Sequence, residues 1–213
     1  MHFKILLLGD SGVGKTSLLQ RFMGGRFTAR YHSSVGVELG IHYIEVAGQV
    51  VQLLIWDAAG EKRFRPLFPS YYREVHGIML VYDTTKPSSF RSLPCWLDEI
   101  KMFSQRDVCI VLVGNKCENL KCRKISQLQG LTFADGKGLA FCEASARSGV
   151  NVDQIFATLS LKIHETYQAQ YSDIYTVRLK SPKPKLESPL KDTGSFRLVA
   201  SPGPKNSKKF CCW

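Results

Sequence analysis

The chain has 213 residues and carries 29 Lys and Arg against 18 Asp and Glu, a net charge of +11. Hydrophobic residues make up 44%, aromatics 11% and charged residues 22%, enough apolar side chain for one buried core, which excludes a wholly disordered, collagen-like or disulfide-scaffold chain. No apolar run reaches the roughly 18 to 20 residues that cross a bilayer, Met1-His2-Phe3-Lys4 lacks a signal peptide's layout, and seven cysteines form no framework, so reduced thiols and a cytosolic start are expected.

In chain order, residues 3–9 read as a buried strand running into a glycine-rich turn, and residues 15–23 have helical spacing. Two strands, 38–46 and 50–57, flank the turn Ala47-Gly48. Further buried strands are expected at 77–83, 108–114 and 139–143, separated by helices that begin near Pro87, Ile125 and Asn151, the last running to about Gln170. Strands alternating with helices predict an α/β fold, a mainly parallel six-stranded sheet with helices on both faces and ligands at the carboxyl ends of the strands. Beyond that the composition changes: residues 177–213 hold nine Lys and Arg against Glu187 and Asp192, which is +7 of the net charge, and five of the nine prolines. Such a segment cannot bury enough surface to fold, so an ordered domain over 1–172 and a disordered, basic, proline-rich tail over 173–213 are expected. The charge alone suits nucleic acid, an anionic membrane or plain solvation.

Gly9-Asp10-Ser11-Gly12-Val13-Gly14-Lys15-Thr16 fits G-x-x-x-x-G-K-[ST] between a strand and a helix, the context of a phosphate-binding loop. Ser11, Gly12, Val13, Gly14 and Ser17 would turn backbone N–H groups toward phosphates, Lys15 would bridge them, and the Thr16 hydroxyl would ligate Mg²⁺. The segment Gly9-Asp10-Ser11-Gly12 also mimics a serine-protease nucleophile, but only His2 lies upstream and no triad can be assembled in that order. Cys117 and Cys122 have no second Cys or His pair at zinc spacing. A phosphate loop alone fits kinases, ATPases and GTPases. Trp56-Asp57-Ala58-Ala59-Gly60 closes the third strand, where Asp57 can hold Mg²⁺ through water and the Gly60 amide can reach a γ-phosphate. Asn115-Lys116-Cys117-Glu118 and Glu143-Ala144-Ser145-Ala146 follow the fifth and sixth strands. Such loops can supply an acidic acceptor for the guanine N1 and N2 hydrogens and a backbone donor for its O6, and adenine presents the reverse pattern.

With these motifs the chain resembles small GTPases of the Ras superfamily, a P-loop GTPase or G domain, and within them the Rab family. Ser34-Val35-Gly36-Val37-Glu38, Leu54-Ile55-Trp56-Asp57, Arg63-Phe64-Arg65, Tyr71-Tyr72-Arg73 and Leu80-Val81-Tyr82-Asp83 carry the likeness. Pro69 to Arg73, Phe141 to Ala146 and Leu161-Lys162-Ile163 look most like the Rab branch of endoplasmic reticulum and lipid droplets. The resemblance implies a GTP/GDP switch in which Ser34 ligates Mg²⁺ and touches the γ-phosphate. It implies catalysis through Lys15, Gly60 and position 61, guanine contacts from Asn115, Lys116, Glu118, Ser145 and Ala146, and effector contacts from Val35, Gly36, Val37, Leu39, Trp56 and Tyr71. Trp56 equally fits a packing role. Implied partners are effectors, an exchange factor, an activating protein, an escort protein and a GDP-dissociation inhibitor.

Several residues depart from the family's pattern. Glu61 stands for the glutamine that orients the attacking water, Glu118 for the aspartate that grips guanine, and Leu39 for an aromatic effector residue. Pro66 and Pro69 remove two backbone donors close to Glu61. These changes leave open a GTP-binding membrane scaffold that turns over poorly. The terminal Cys211-Cys212-Trp213 is no C-a-a-X box, since Phe210 stands where its cysteine would be. Adjacent cysteines resemble the double-geranylgeranyl signal of Rab proteins, which implies the cytoplasmic face of an intracellular membrane, a cytosolic pool on extraction, and no nucleic acid partner.

Overall fold

The computed structural model describes residues 1–25, 37–58, 71–104 and 108–180. Its strands are β1 (His2–Leu8), β2 (Val37–Val46), β3 (Gln49–Ala58), β4 (Gly77–Asp83), β5 (Cys109–Asn115) and β6 (Ala140–Glu143). They form one six-stranded sheet in the order β2-β3-β1-β4-β5-β6. Only β2 runs antiparallel, paired with β3. That hairpin closes on Ala47 and Gly48, which have φ of 50° and 76°, the two-residue turn whose twist matches its strands.

Alternation along the strands sorts the core. Phe3, Ile5 and Leu7 of β1, Met79 and Val81 of β4, and Val111 and Val113 of β5 face α1 (Lys15–Phe22) and α5 (Val152–Lys180). Leu6, Leu8, Ile78, Leu80, Tyr82 and Leu112 face the opposite layer. That layer is α2 (Pro87–Arg91), α3 (Leu93–Phe103) and α4 (Gln127–Asp135). The central strands β1, β4 and most of β5 are thus buried on both faces, as parallel strands require, while Leu39, Ile41, Tyr43 and Val50 of the β2–β3 hairpin are exposed, and the carboxyl ends of the sheet open on one side toward the site.

Three elements differ from expectation. The helix expected from Pro87 is two helices, because Pro94 has no N–H to give the Phe90 carbonyl and the first helix stops at Arg91. α4 starts at Gln127 rather than near Ile125: Ser126 and Gln129 form a reciprocal capping box, while the Ile125 N–H is taken by the Thr84 carbonyl at 2.9 Å. α5 continues ten residues past Gln170 to Lys180. No proline or glycine interrupts it before Pro182, and low apolarity alone does not end a helix.

His76, just before β4, ties that strand to β1. Its Nδ1 accepts from the Lys4 N–H at 2.8 Å, and its half-buried ring lies 5.4 Å from Tyr167 and 6.1 Å from Phe3. Burial above all, then His2 and Lys4, holds its pKa below the usual value, with Glu74 acting the other way. The native state therefore resists a proton that the unfolded chain accepts. Stability should be full above about pH 6.5 and fall as pH drops through that value toward the lower folded pKa. Urea unfolding at several pH values between 5 and 8 should show this slope in the unmodified protein and a flatter one in His76→Gln. Equal slopes would remove His76 as the cause.

Candidate functional site

The phosphate loop joins β1 to α1. Gly9 (φ 135°) lies against the Val81 carbonyl, where a Cβ would come within 2.1 Å, and Gly14 (φ 98°) lies against Asn115 Nδ2, where a Cβ would come within 2.4 Å. Neither place admits a side chain. Gly14 opens α1 without any side-chain cap, leaving a helix N-terminus of the kind that attracts anions. Lys15 Nζ donates to the carbonyls of Gly9 at 2.9 Å and Asp10 at 3.1 Å. Burial lowers its pKa to about 8, opposed in part by Asp57 and Asp10. Val13 is fully buried as the loop's apolar anchor, while Ser11 and Ser17 are half-buried and Gly12 is exposed.

Thr16 meets Asp57 from the end of β3. The Thr16 hydroxyl donates to Asp57 Oδ2. Asp57 is fully buried, and its Oδ1 has no partner among the described residues. Burial raises its pKa, opposed by the Thr16 hydrogen bond and by Lys15. A hydroxyl beside an orphaned carboxylate oxygen is the hard-oxygen set that suits Mg²⁺, an ion that takes one or two protein ligands and fills its shell with phosphates and water. The residues present therefore fit the ion. Among the described residues no three His, Cys, Asp or Glu cluster as a metal site of their own.

The loops expected to receive the base, here the base-side loops, are built around Asn115 at the end of β5. Its Nδ2 donates to the Val13 carbonyl at 2.8 Å, and its Oδ1 accepts from the Ala146 N–H at 3.2 Å. Ser145 and Ala146 are both buried, and the Ser145 hydroxyl accepts from the Ser148 N–H at 2.9 Å. Lys116, with φ of 66°, sends Nζ to the Gly12 carbonyl at 2.8 Å and to Asp83 Oδ2 at 2.6 Å. Glu118 lies one turn on, and its Oε2 is buried without a partner among the described residues.

Two supports escaped the sequence reading. Arg123 pairs both guanidinium arms with Glu143, at 2.6 and 2.9 Å, and also donates to the Cys117 carbonyl at 3.1 Å, locking the two base-side loops together. Asp83 holds Lys116 and accepts from the Thr85 N–H and hydroxyl at 2.8 and 2.7 Å. Asp83 sits at a strand end, which is a usable signal, whereas nothing local marks Arg123.

On the β2–β3 face, Leu39 is exposed and paired across the hairpin with half-buried Trp56, whose ring is 5.8 Å from that of Tyr71. Val37 opens β2 opposite Ala58. Ser34, Val35, Gly36, Gly60, Glu61, Pro66, Pro69, Cys211 and Cys212 lie outside the described residues.

The Ras family model matches residues 4–165. The chain belongs to the Ras family. It is 42% identical over 168 residues to Ras-related protein RABD1 of Arabidopsis thaliana, covering 79% of this chain and 82% of that protein. It is equally similar to Ras-related protein RIC1 of Oryza sativa subsp. japonica, covering 83% of that one. The fold and the Rab-like relationship expected from the motifs are thereby established for this small GTPase, and guanine nucleotide is its ligand. That makes Glu118 informative. Its carboxylate carries one methylene more than aspartate, so in the guanine-contacting role expected of it the side chain would have to retract, and a misfit at such a hydrogen-bonding site costs about 1 to 3 kcal/mol. GDP should dissociate roughly ten times faster from the unmodified protein than from Glu118→Asp. Equal or slower release would mean the 116–120 turn absorbs the extra carbon.

Proposed function

We propose that this small GTPase is a membrane-anchored GTP/GDP switch that regulates vesicle trafficking and uses Mg²⁺. The observation that carries the reading is the buried Asp57 carboxylate beside Thr16 and Lys15, at the mouth of a loop built for phosphates. Thr16, Asp57 and Ser34 would hold the ion, which supplies positive charge to the β- and γ-phosphates. Lys15 bears on the phosphates, and Ser11 to Ser17 present the anion-binding backbone. Asn115, Lys116, Glu118, Ser145 and Ala146 receive the base. GTP orders the segments around Ser34 and Gly60, effectors read that state through Val35, Gly36, Val37, Leu39, Trp56 and Tyr71, and hydrolysis releases it. An exchange factor and an activating protein set the cycle. An escort protein and a GDP-dissociation inhibitor would handle the lipidated chain, and endoplasmic reticulum or lipid droplet is the membrane we favour.

Position 61 bears on the rate. Glutamine accepts from the attacking water and donates toward the phosphoryl group, whereas ionised Glu61 only accepts and adds negative charge. At about 5 Å and an effective dielectric near 20 that repulsion is roughly 3 kcal/mol before Lys15 and Mg²⁺ offset part of it. Single-turnover GTP hydrolysis at neutral pH without activator should be slower than in Glu61→Gln. If the unmodified protein matches or exceeds the variant, the repulsion argument fails, and the poorly hydrolysing scaffold loses its main support.

Anchoring rests on Cys211 and Cys212, since two lipid chains are what stable attachment requires and nearby lysines add about 1 kcal/mol each on anionic membranes. Replacing both cysteines with serine should move the protein to the soluble fraction, and replacing the tail lysines alone should only weaken attachment. A double-serine variant that still sediments with membranes at high salt would overturn the lipid assignment.

A further inference from the structure

An acid is electrostatically the wrong residue inside a loop that binds a polyanion, because its charge opposes the phosphates. Asp10 is such an acid, second in the phosphate loop. Its carboxylate is turned to another element altogether. Oδ1 accepts from Trp96 Nε1 at 2.9 Å, and Oδ2 accepts from the Ser92 hydroxyl at 2.9 Å, across 86 and 82 residues of sequence. Its carbonyl accepts from Lys15 Nζ at 3.1 Å. Both ends of the residue are therefore held.

The donor side is built for this contact. Ser92 stands at the start of α3, where serine ordinarily caps the helix, yet it makes no capping bond, and its φ and ψ of -78° and -13° are right-handed rather than the extended pair usual for a cap. Its hydroxyl instead lies between Asp10 and the Ser88 carbonyl, 3.0 Å away. The break that Pro94 forces between α2 and α3 places that hydroxyl there. Trp96 is 1% exposed, so its indole N–H has little access to water and is met by a carboxylate.

We infer that Asp10 is a positioning residue, latched by Ser92 and Trp96, which fixes the phosphate loop and sets how long the nucleotide stays bound. The latch acts on Lys15 and on the loop backbone rather than on the nucleotide. It also makes the α2–α3 junction a place from which nucleotide retention can be changed without touching the site. The inference rests on guanine-nucleotide binding alone and is independent of Mg²⁺, lipid or trafficking.

The experiment is release of fluorescently labelled GDP from the purified full chain, with thermal unfolding measured alongside. Ser92→Ala and Trp96→Phe each remove one hydrogen bond to a charged acceptor and should speed release about three- to tenfold. Ser92→Thr restores the hydroxyl and should restore slow release. Asp10→Ala should release at least as fast as either single variant, and adding Trp96→Phe to Asp10→Ala should change release no further. Leu93→Ala, a fully buried apolar neighbour, should lower the unfolding temperature without speeding release. Unchanged release from Ser92→Ala and Trp96→Phe overturns the inference. So does equal acceleration by Leu93→Ala, which would mean that packing of α3 matters and the latch does not.

Discussion

The Asn115 side chain joins two halves of the site that lie far apart in sequence. Its amide donates to Val13, 102 residues earlier, and its carbonyl accepts from Ala146, 31 residues later. Phosphate loop and base-side loop are thus positioned by one planar group at the end of a buried strand. Because Asn115 is 1% exposed, both bonds form without competition from water, and losing either would leave a buried polar atom unmet. Gly14 is its steric complement, since any Cβ there would strike the same amide.

A second tier of contacts keeps that arrangement in register. Lys116 ties the phosphate loop to Asp83, Arg123 ties the Cys117 turn to Glu143, and Asp10 ties the phosphate loop to α3. The first two ties run between strand-end segments and the third runs from a strand-end loop to a helix, so the loops at the carboxyl edge of the sheet brace one another as well as the sheet. The parallel strands provide the means: they place all these loops along one edge, so a long side chain from one reaches the next.

What the sequence disclosed and what it concealed follow from the range of the forces involved. The phosphate loop was legible because the positive φ at Gly9, Gly12 and Gly14 is a local demand that few residues meet. The strands were legible because burial on both faces forces continuous apolar runs, and even the α2–α3 break could have been read from Pro94. Arg123 and the bonds of Asp10 to α3 were not legible, because a charged residue in a loop looks the same whether it meets water or a partner 20 to 86 residues away. The end of α5 was misjudged for a different reason. Apolar periodicity reports the face a helix buries and not its length, whereas helix termination needs a residue that opposes helical geometry, and Pro182 is the first proline or glycine to follow Gly149.

The electrostatics of the site draw phosphate and cation binding together. Burial pushes Lys15 down to about 8 and pushes Asp57 up, so each leans toward its neutral form, although each also stabilises the other. Two buried opposite charges that only partly compensate are poorly satisfied by themselves. A phosphate set against Lys15 would favour its charged form, and a divalent cation set on the orphaned Oδ1 would favour ionised Asp57. Phosphate without the cation would raise the cost of the Asp57 charge, and the cation without phosphate would raise that of Lys15. The arrangement is therefore best satisfied by both together, which the proposed magnesium nucleotide would supply.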